Sequence, residues 1–500
     1  MSVNSIASRS ITALFWGVGG AMGKIGGQLI VQITLARILG PESFGQFAVL
    51  LAVLSLGGVL ADCGFGAALI QKKKITNADI ELALGWSLSI AISSAICISL
   101  IASFLARQFG DESLTLMFTV SAFLIIPQAM GNLSTNLLQR ELNMKSIQLI
   151  HVFSYLICFG GVSTMLALKG WGGWSLVIGY AVQTAFKVIA TYAICRHTLR
   201  PRLWGDPALI NFGLKSLAND LSNWSLDNFD KFLIGKFWGL YPLGLYSVAF
   251  NLSKAPSALL VFATQNIAFS SASRLQDDLT VLRKGFQAVI TIMALASLPL
   301  FAMVAFESTA VLNIIYGPKW IMAAPYMTAL AIAIPLMSLG SITAAILRGT
   351  GAIGTELCVQ ISTICVFFGG LIFLRNLPLS MAVWTVPVAY AIRLILLLLV
   401  VRDRLNLSPK DLIVPFQGAI VLTTMGVVTT LFVHNLPYAL SPAMGLLPLL
   451  TGCCMCIFLF LFKFTWFLGS PLSTIIHTKF SSGHAASIIG WLEKKDKKNV

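Results

Sequence analysis

Ten of the ionisable side chains inside long apolar stretches of this sequence are candidates for chemistry: Lys24, Asp62, Lys187, Lys215, Asp220, Asp227, Asp230, Lys231, Lys254 and Arg393. A charge surrounded by hydrocarbon is costly unless it faces a wet cavity or a partner, so each marks a candidate site or an internal pair. Six cations against four acids leave an excess of positive charge, which suits an anionic ligand. The densest group runs from Asn211 to Lys231, where Ser216, Asn219, Asp220, Asn223, Asp227 and Asp230 recur at steps of three and four. On a helix those steps make one polar face. Lipid cannot face such a stripe, and two readings stay open: a cavity lining, or a seam of hydrogen bonds between helices.

Lys24 lies among Gly17, Gly19, Gly20, Gly23, Gly26 and Gly27, residues that let a helix bend or pack closely. It can meet an anionic ligand or pair with an acid of the 211–231 stretch. Lys254, just before Pro256, and Arg393 are placed to face inward at mid-depth. Lys187 and Lys215 sit nearer the ends of their stretches, where a long side chain reaches back to the interface. Asp62, beside Gly64 and Gly66, reads as a helix-end residue. Asp227, Asp230 and Lys231 form a candidate salt-bridge gate, and the acids offer a site for a coupling H+ or Na+. Pro127, Pro256, Pro299, Pro325, Pro335 and Pro387 are candidate hinges or static kinks.

The elements that must hold these residues are membrane spans. Only 11% of the 500 residues are charged and the mean hydropathy is +0.85, which excludes a soluble protein. A helix needs about 20 apolar residues to cross the hydrocarbon core. That ruler gives fourteen spans: 11–38, 44–69, 82–106, 114–138, 147–168, 173–195, 209–235, 243–269, 285–306, 321–347, 352–374, 379–401, 412–434 and 443–468. With the N-terminus inside, the inner segments and tail carry 22 Lys and Arg, the outer loops 6. The positive-inside rule therefore puts both termini in the cytoplasm. The net charge of +15 is explained by basic loops against anionic lipid, and no nucleic-acid partner is expected. The nine cysteines are scattered packing residues apart from Cys453, Cys454 and Cys456, which lack nearby metal-ligating companions, so neither metal nor other cofactor is expected. No catalytic residue is assigned: there is no phosphate-binding glycine loop, no HExxH motif and no large extramembrane domain.

An internal repeat orders the spans. Arg37-Ile-Leu-Gly40 through Gly45, Phe47 and Val49 is matched without a gap, 199 residues on, by Lys236-Phe-Trp-Gly239 through Gly244, Tyr246 and Val248. A second series, Phe109-Gly110, Ile126-Pro127 and Arg140, is matched by Tyr316-Gly317, Ile334-Pro335 and Arg348. The reading is an all-α integral membrane fold: six-helix bundles over 1–205 and 206–405, two added helices over 406–468 and a basic cytoplasmic tail over 469–500. Equal orientation of the two halves calls for an axis along the membrane normal, a plan used by transporters that rock one half against the other.

The block Leu35-Ala-Arg-Ile-Leu-Gly-Pro-Glu-Ser-Phe-Gly-Gln-Phe47 resembles the bacterial polysaccharide-repeat flippases of the MOP superfamily, the Wzx-type exporters. So do Asp62-Cys-Gly-Phe-Gly66, Leu138-Gln-Arg-Glu-Leu142 and Leu226-Asp-Asn-Phe-Asp-Lys-Phe-Leu-Ile-Gly235. The resemblance spans most of residues 5–410. It implies a multi-pass protein of the bacterial inner membrane that flips an undecaprenyl-diphosphate-linked oligosaccharide; Lys24, by its own setting, has room to meet that diphosphate or to pair with an acid of the 211–231 stretch. Lys24, Asn219, Asp220, Asn223, Lys254 and Arg393 are the candidate cavity residues; membrane lipid and polysaccharide polymerase or assembly proteins are candidate partners. Two competing readings are a cation-coupled multidrug exporter of the same superfamily and a non-transporting scaffold for polysaccharide assembly. The excess of cations favours the anionic cargo.

Overall fold

The computed structural model describes residues 3–72, 74–274 and 279–434. Every secondary-structure element among them is helical. The first thirteen expected spans coincide with helices; the expected span at 443–468, the Cys453–Cys456 cluster and the basic tail lie outside the described residues. By length and apolar composition nine helices among the described residues can cross a membrane, or ten if one bent pair counts as a span.

The first repeat begins with α1 (Val3–Ile38), unbroken through its glycines. A Cβ on Gly20 would overlap Gln148, and one on Gly27 would press on Leu156. Close packing rather than bending is what these two glycines allow. Next, α2 (Pro41–Asp62) starts with proline, whose missing N–H costs nothing in a first turn. It stops where Cys63 (φ 45°) and Gly64 (φ 68°) turn left-handed, and α3 (Phe65–Gln71) follows. The second expected span is thus a broken one. Then α4 (Asn77–Gln108) opens on a capping box in which Thr76 and Asp79 bond each other's backbone N–H.

Two short helices, α5 (Leu114–Ala122) and α6 (Ile125–Arg140), meet at a bend of 42° where the fourth span is expected. Pro127 sits in the first turn of α6, so it follows the bend instead of breaking a helix. The fifth span joins α7 (Met144–Phe153), a π-helical segment (Ser154–Gly161) and α8 (Val162–Leu168). Periodicity gave no sign of the π segment, which widens the turn just where Tyr155 and Phe159 project. The repeat closes with α9 (Gly173–Ile194).

In the second repeat come α10 (Pro207–Trp238), α11 (Leu240–Arg274), α12 (Leu279–Phe306), α13 (Ser308–Ile315) and a 3-10 turn at Pro318–Ala323. They are followed by α14 (Ala324–Gly349), α15 (Ile353–Phe373), α16 (Leu379–Ala382) and α17 (Thr385–Leu405). The thirteenth expected span coincides with α18 (Pro409–His434). Pro325 and Pro387 fall in first turns, whereas Pro256, Pro299 and Pro335 lie inside helices that continue past them. The repeat-equivalent pair Pro127 and Pro335 therefore occupies different local settings.

Packing divides the chain into two compact units. The first holds residues up to Leu259 with the segments Ile315–Met327 and Phe368–Val383. Its cores join Phe65, Leu69, Leu82 and Leu133 in one cluster and Val31, Leu35, Phe159 and Leu176 in another. Inside this unit the repeated blocks meet each other reciprocally. A Cβ on Gly45 would overlap the Leu240 carbonyl, and one on Gly244 would overlap the Pro41 carbonyl. Pro41 and Leu240, like Gly45 and Gly244, are 199 residues apart, so the contact is the self-complementary kind that a two-fold relation produces. Trp320 Nε1 donates to the Ala36 carbonyl at 2.9 Å and Trp238 Nε1 to the Leu377 carbonyl at 2.7 Å, tying further chain ends into the same region. The second unit comprises Leu260–Ile314, Thr328–Phe367 and the chain from Trp384. Its core unites α12, α14, α17 and α18 through Ile290, Met293, Leu339, Leu397 and Leu422.

Candidate functional site

Lys24 and Gln28, one turn apart on α1, point to the same side of the helix. His151 and Tyr155 are likewise one turn apart, where α7 passes into the π segment. On α9, Tyr180, Gln183 and Lys187 follow i, i+3, i+7. These three polar stripes converge with Phe47 and Leu51 of α2 on a cavity of about 170 Å³. A neighbouring cavity of about 160 Å³ shares His151, Tyr180, Gln183 and Lys187 and adds Gln128 and Asn132 from α6. The Tyr180 hydroxyl leans toward Gln128 Oε1 at 3.4 Å across the second cavity.

Neither cavity is lined by an acid among the described residues. Ion pairs among those residues join Lys72 to Asp79 and Asp206, Lys254 to Asp227, and Arg348 to Glu356. Lys24 and Lys187 belong to none, although both are half-buried and near enough to feel each other's charge. Two like charges in a poorly solvated pocket cost energy that an anion recovers. Amide, hydroxyl and imidazole groups alongside them supply further hydrogen bonds for such an anion.

Sequence reasoning picked out Lys24 and set Lys187 aside as an interfacial side chain; the structure turns Lys187 into the same cavity. The missed signal was the polar stripe Tyr180, Gln183, Lys187 on an otherwise apolar helix. Gln28 and His151 were missed too, since a lone glutamine or histidine carries little periodic signal.

The other candidates form a second group within the first unit. Asp227 pairs with Lys254 of α11 at 3.0 Å, while Lys231 Nζ donates to the Asp227 carbonyl at 2.6 Å and to Asn228 Oδ1 at 2.9 Å. Asp230 is buried, and the Tyr246 hydroxyl donates to it at 2.8 Å. The ion pair here thus runs between helices, from Asp227 to Lys254, rather than along α10 to Lys231. Farther along α10, Asp220 accepts from the Ser216 hydroxyl at 3.4 Å. It lies close enough to Asp62 to act on it electrostatically, and Asp62, the last residue of α2, accepts from Asn136 Nδ2 at 3.3 Å. Asn223 is exposed on the same helix. The side chains of Asn219 and Lys215 lie outside the described ones. Arg393 belongs to the second unit, its guanidinium 6.0 Å from the Tyr390 ring and its Nε buried without a hydrogen-bond acceptor among the described residues.

The helical order and the broken, bent helices are those of a multi-helix membrane fold represented by two solved structures. "Lipid II flippase MurJ, inward closed conformation" superposes with a TM-score of 0.70 at 14% identity, covering 91% of this chain and 98% of that one. A multidrug resistance MATE family transporter of the MOP superfamily, in an inward-facing conformation, gives 0.61 at 15% identity over 77% of this chain and 94% of that one. Residues 34–325 match the family model described as "Polysaccharide biosynthesis protein", and the chain belongs to that family. Among its relatives, "Lipopolysaccharide biosynthesis protein WzxC" of Escherichia coli (strain K12) is 24% identical over 346 residues, 67% of this chain and 69% of its own. "Succinoglycan biosynthesis transport protein ExoT" of Rhizobium meliloti (strain 1021) is 25% identical over 342 residues, 67% and 68% of the two chains.

Proposed function

We propose that this chain flips an undecaprenyl-diphosphate-linked oligosaccharide across the bacterial inner membrane by alternating access, for the synthesis of an exported polysaccharide. The observation that carries the reading is the pair Lys24 and Lys187, facing one cavity with no acid among its described lining. A diphosphate brings the compensating charge, and Gln28, Gln183 and Tyr180 offer hydrogen bonds to its oxygens or to the first sugar. Family membership and the names of ExoT, a transport protein, and MurJ, a flippase, support the same class of cargo.

The basic loops, 22 cations against 6, support cytoplasmic termini. On that topology the Gly45–Gly244 contact between the two repeated sequence blocks lies at the periplasmic side. Release of the cargo requires that contact to part. Asp62 and Asp220, held near each other with Asn136 and Ser216, are our candidates for binding a coupling H+ or Na+. Polysaccharide polymerase or other assembly proteins would receive the cargo outside.

The test is leaflet exchange of a fluorescent undecaprenyl-diphosphate oligosaccharide in liposomes, read with an external quencher. Wild type exchanges the probe, and Lys24→Ala and Lys187→Ala slow it severely. Efflux of a cationic dye without exchange of the glycolipid would instead make the protein a multidrug exporter. Polysaccharide assembly that persists in Lys24→Ala cells would favour a scaffold.

A further inference from the structure

A third cavity, of about 410 Å³, lies between α6 and α9; it shares only Val188 with the lysine pocket and nothing with the acidic group. Its walls are Met130 and Ser134 from α6 and Val188, Ile189 and Tyr192 from α9; Arg196 stands at its mouth. That volume is in the range of small-ligand sites, roughly 300–1,000 Å³. The polar atoms in the wall are already engaged. His197 Nδ1 donates to the Thr198 carbonyl at 3.0 Å, and Ser134 Oγ is 3.0 Å from Nε2 of the same ring. What remains is an apolar slot with a guanidinium at one end.

The slot lies within one leaflet. Along α9 its lining runs from Val188 to the helix end at Ile194, about 9 Å of helix, against about 15 Å of hydrocarbon in half a bilayer. Beyond the mouth, the segment after α9 is pinned by its backbone: Arg202 N–H donates to the Glu81 carbonyl at 3.0 Å and Trp86 Nε1 to the Leu203 carbonyl at 3.2 Å. Pinned this way, it leaves Arg196, Arg200 and Trp204 exposed, Trp204 at 81%. Exposed arginine and tryptophan in a segment joining two membrane helices suit the headgroup level of a membrane. Glu141 acts on Cys195 at this end, Glu81 takes the Arg202 N–H on its carbonyl, and Asp206 is already paired with Lys72.

We propose that this slot is a binding site for one anionic phospholipid from the leaflet that the basic loops face, its phosphate on Arg196 and Arg200 and an acyl chain between α6 and α9. The site is separate from cargo transport and rests only on the transmembrane reading of α6 and α9. A guanidinium binds phosphate through paired N–H donors, and a zwitterionic headgroup offers it less net charge.

Native mass spectrometry of the delipidated full chain, titrated with phosphatidylglycerol or phosphatidylethanolamine of equal chain length, tests this. Phosphatidylglycerol is expected to bind at least roughly tenfold tighter, and Arg196→Gln with Arg200→Gln to erase the difference. These side chains are exposed, so the variant keeps its fold. A phosphatidylglycerol with a photoreactive acyl chain should label the segments around Met130 and Tyr192, and Val188→Trp should block the labelling. Equal binding of both lipids, binding unchanged in the arginine variant, labelling only elsewhere, or retention of a polyprenyl diphosphate in preference to phospholipid would overturn the proposal. None of these readouts uses transport, so they are independent of whether the chain is a flippase.

Discussion

Lys24 and Lys187 stand in their cavity without an acid, whereas Lys254 and Lys231, in the same compact unit, are held by Asp227, its carbonyl and Asn228. Both regions look alike in the sequence, as charges inside apolar helices. They differ in whether the protein supplies the compensating charge. Where it does, the charges join α10 to α11; where it does not, the proposed function assigns them to an anionic cargo. Compensation, more than the mere presence of charge, separates a structural cluster from a binding pocket.

The largest effect that would sharpen this contrast is a crossed result. Lys24→Met with Lys187→Met should cut glycolipid exchange by roughly a hundredfold or more, since losing a desolvated charge contact costs about 2–5 kcal/mol. The same variant should melt at a higher temperature, because two repelling half-buried charges are gone. Asp227→Ala, leaving Lys254 without its partner, should lower the melting temperature instead. Loss of stability in the lysine variant would break the comparison.

Next comes the reciprocal glycine contact. Gly45→Val or Gly244→Val pushes a side chain into a backbone carbonyl and should cost about 1–3 kcal/mol of the closed arrangement. Cysteines placed beside it should then react faster with an impermeant reagent, and unchanged labelling would remove the contact from the gating account. Tyr246→Phe, which strips Asp230 of its buried donor, should cost about 1–3 kcal/mol, read as an earlier thermal midpoint.

The smallest effect is outside the spans. Hydrogen bonds from Lys72 to Asp79 and then Asp206 hold the Lys72 ammonium above its ordinary pKa. A raised folded-state pKa adds stability that is full below the unfolded value, about 10.4, and is lost as pH rises through the folded value. The thermal midpoint should therefore hold steady through neutral pH and fall in the alkaline range, and Lys72→Met should flatten that fall. A fall of equal steepness in the variant would assign it to other groups.

The spans were legible because the bilayer imposes one length and one composition on every crossing helix. The break at Cys63 and Gly64, the bend between α5 and α6 and the π segment were not, because none changes the hydropathy of the stretch that contains it. The polar face of α10 was legible from its three- and four-residue steps. Its division into a buried Asp230, an Asp227 paired across to Lys254 and an exposed Asn223 depended on what packs against it.

The sequence by itself determined the class of protein, the order of its helices and the repeat, since burial of apolar length in lipid and the 199-residue match are properties of the chain alone. Tertiary structure decided which charges stand together. Lys24 and Lys187 are separated by most of the first repeat, and only the packing of α1, the π segment and α9 brings them to one cavity and leaves the acids elsewhere. Charge compensation is a matter of a few ångströms in space, and distance along the chain carries no record of it.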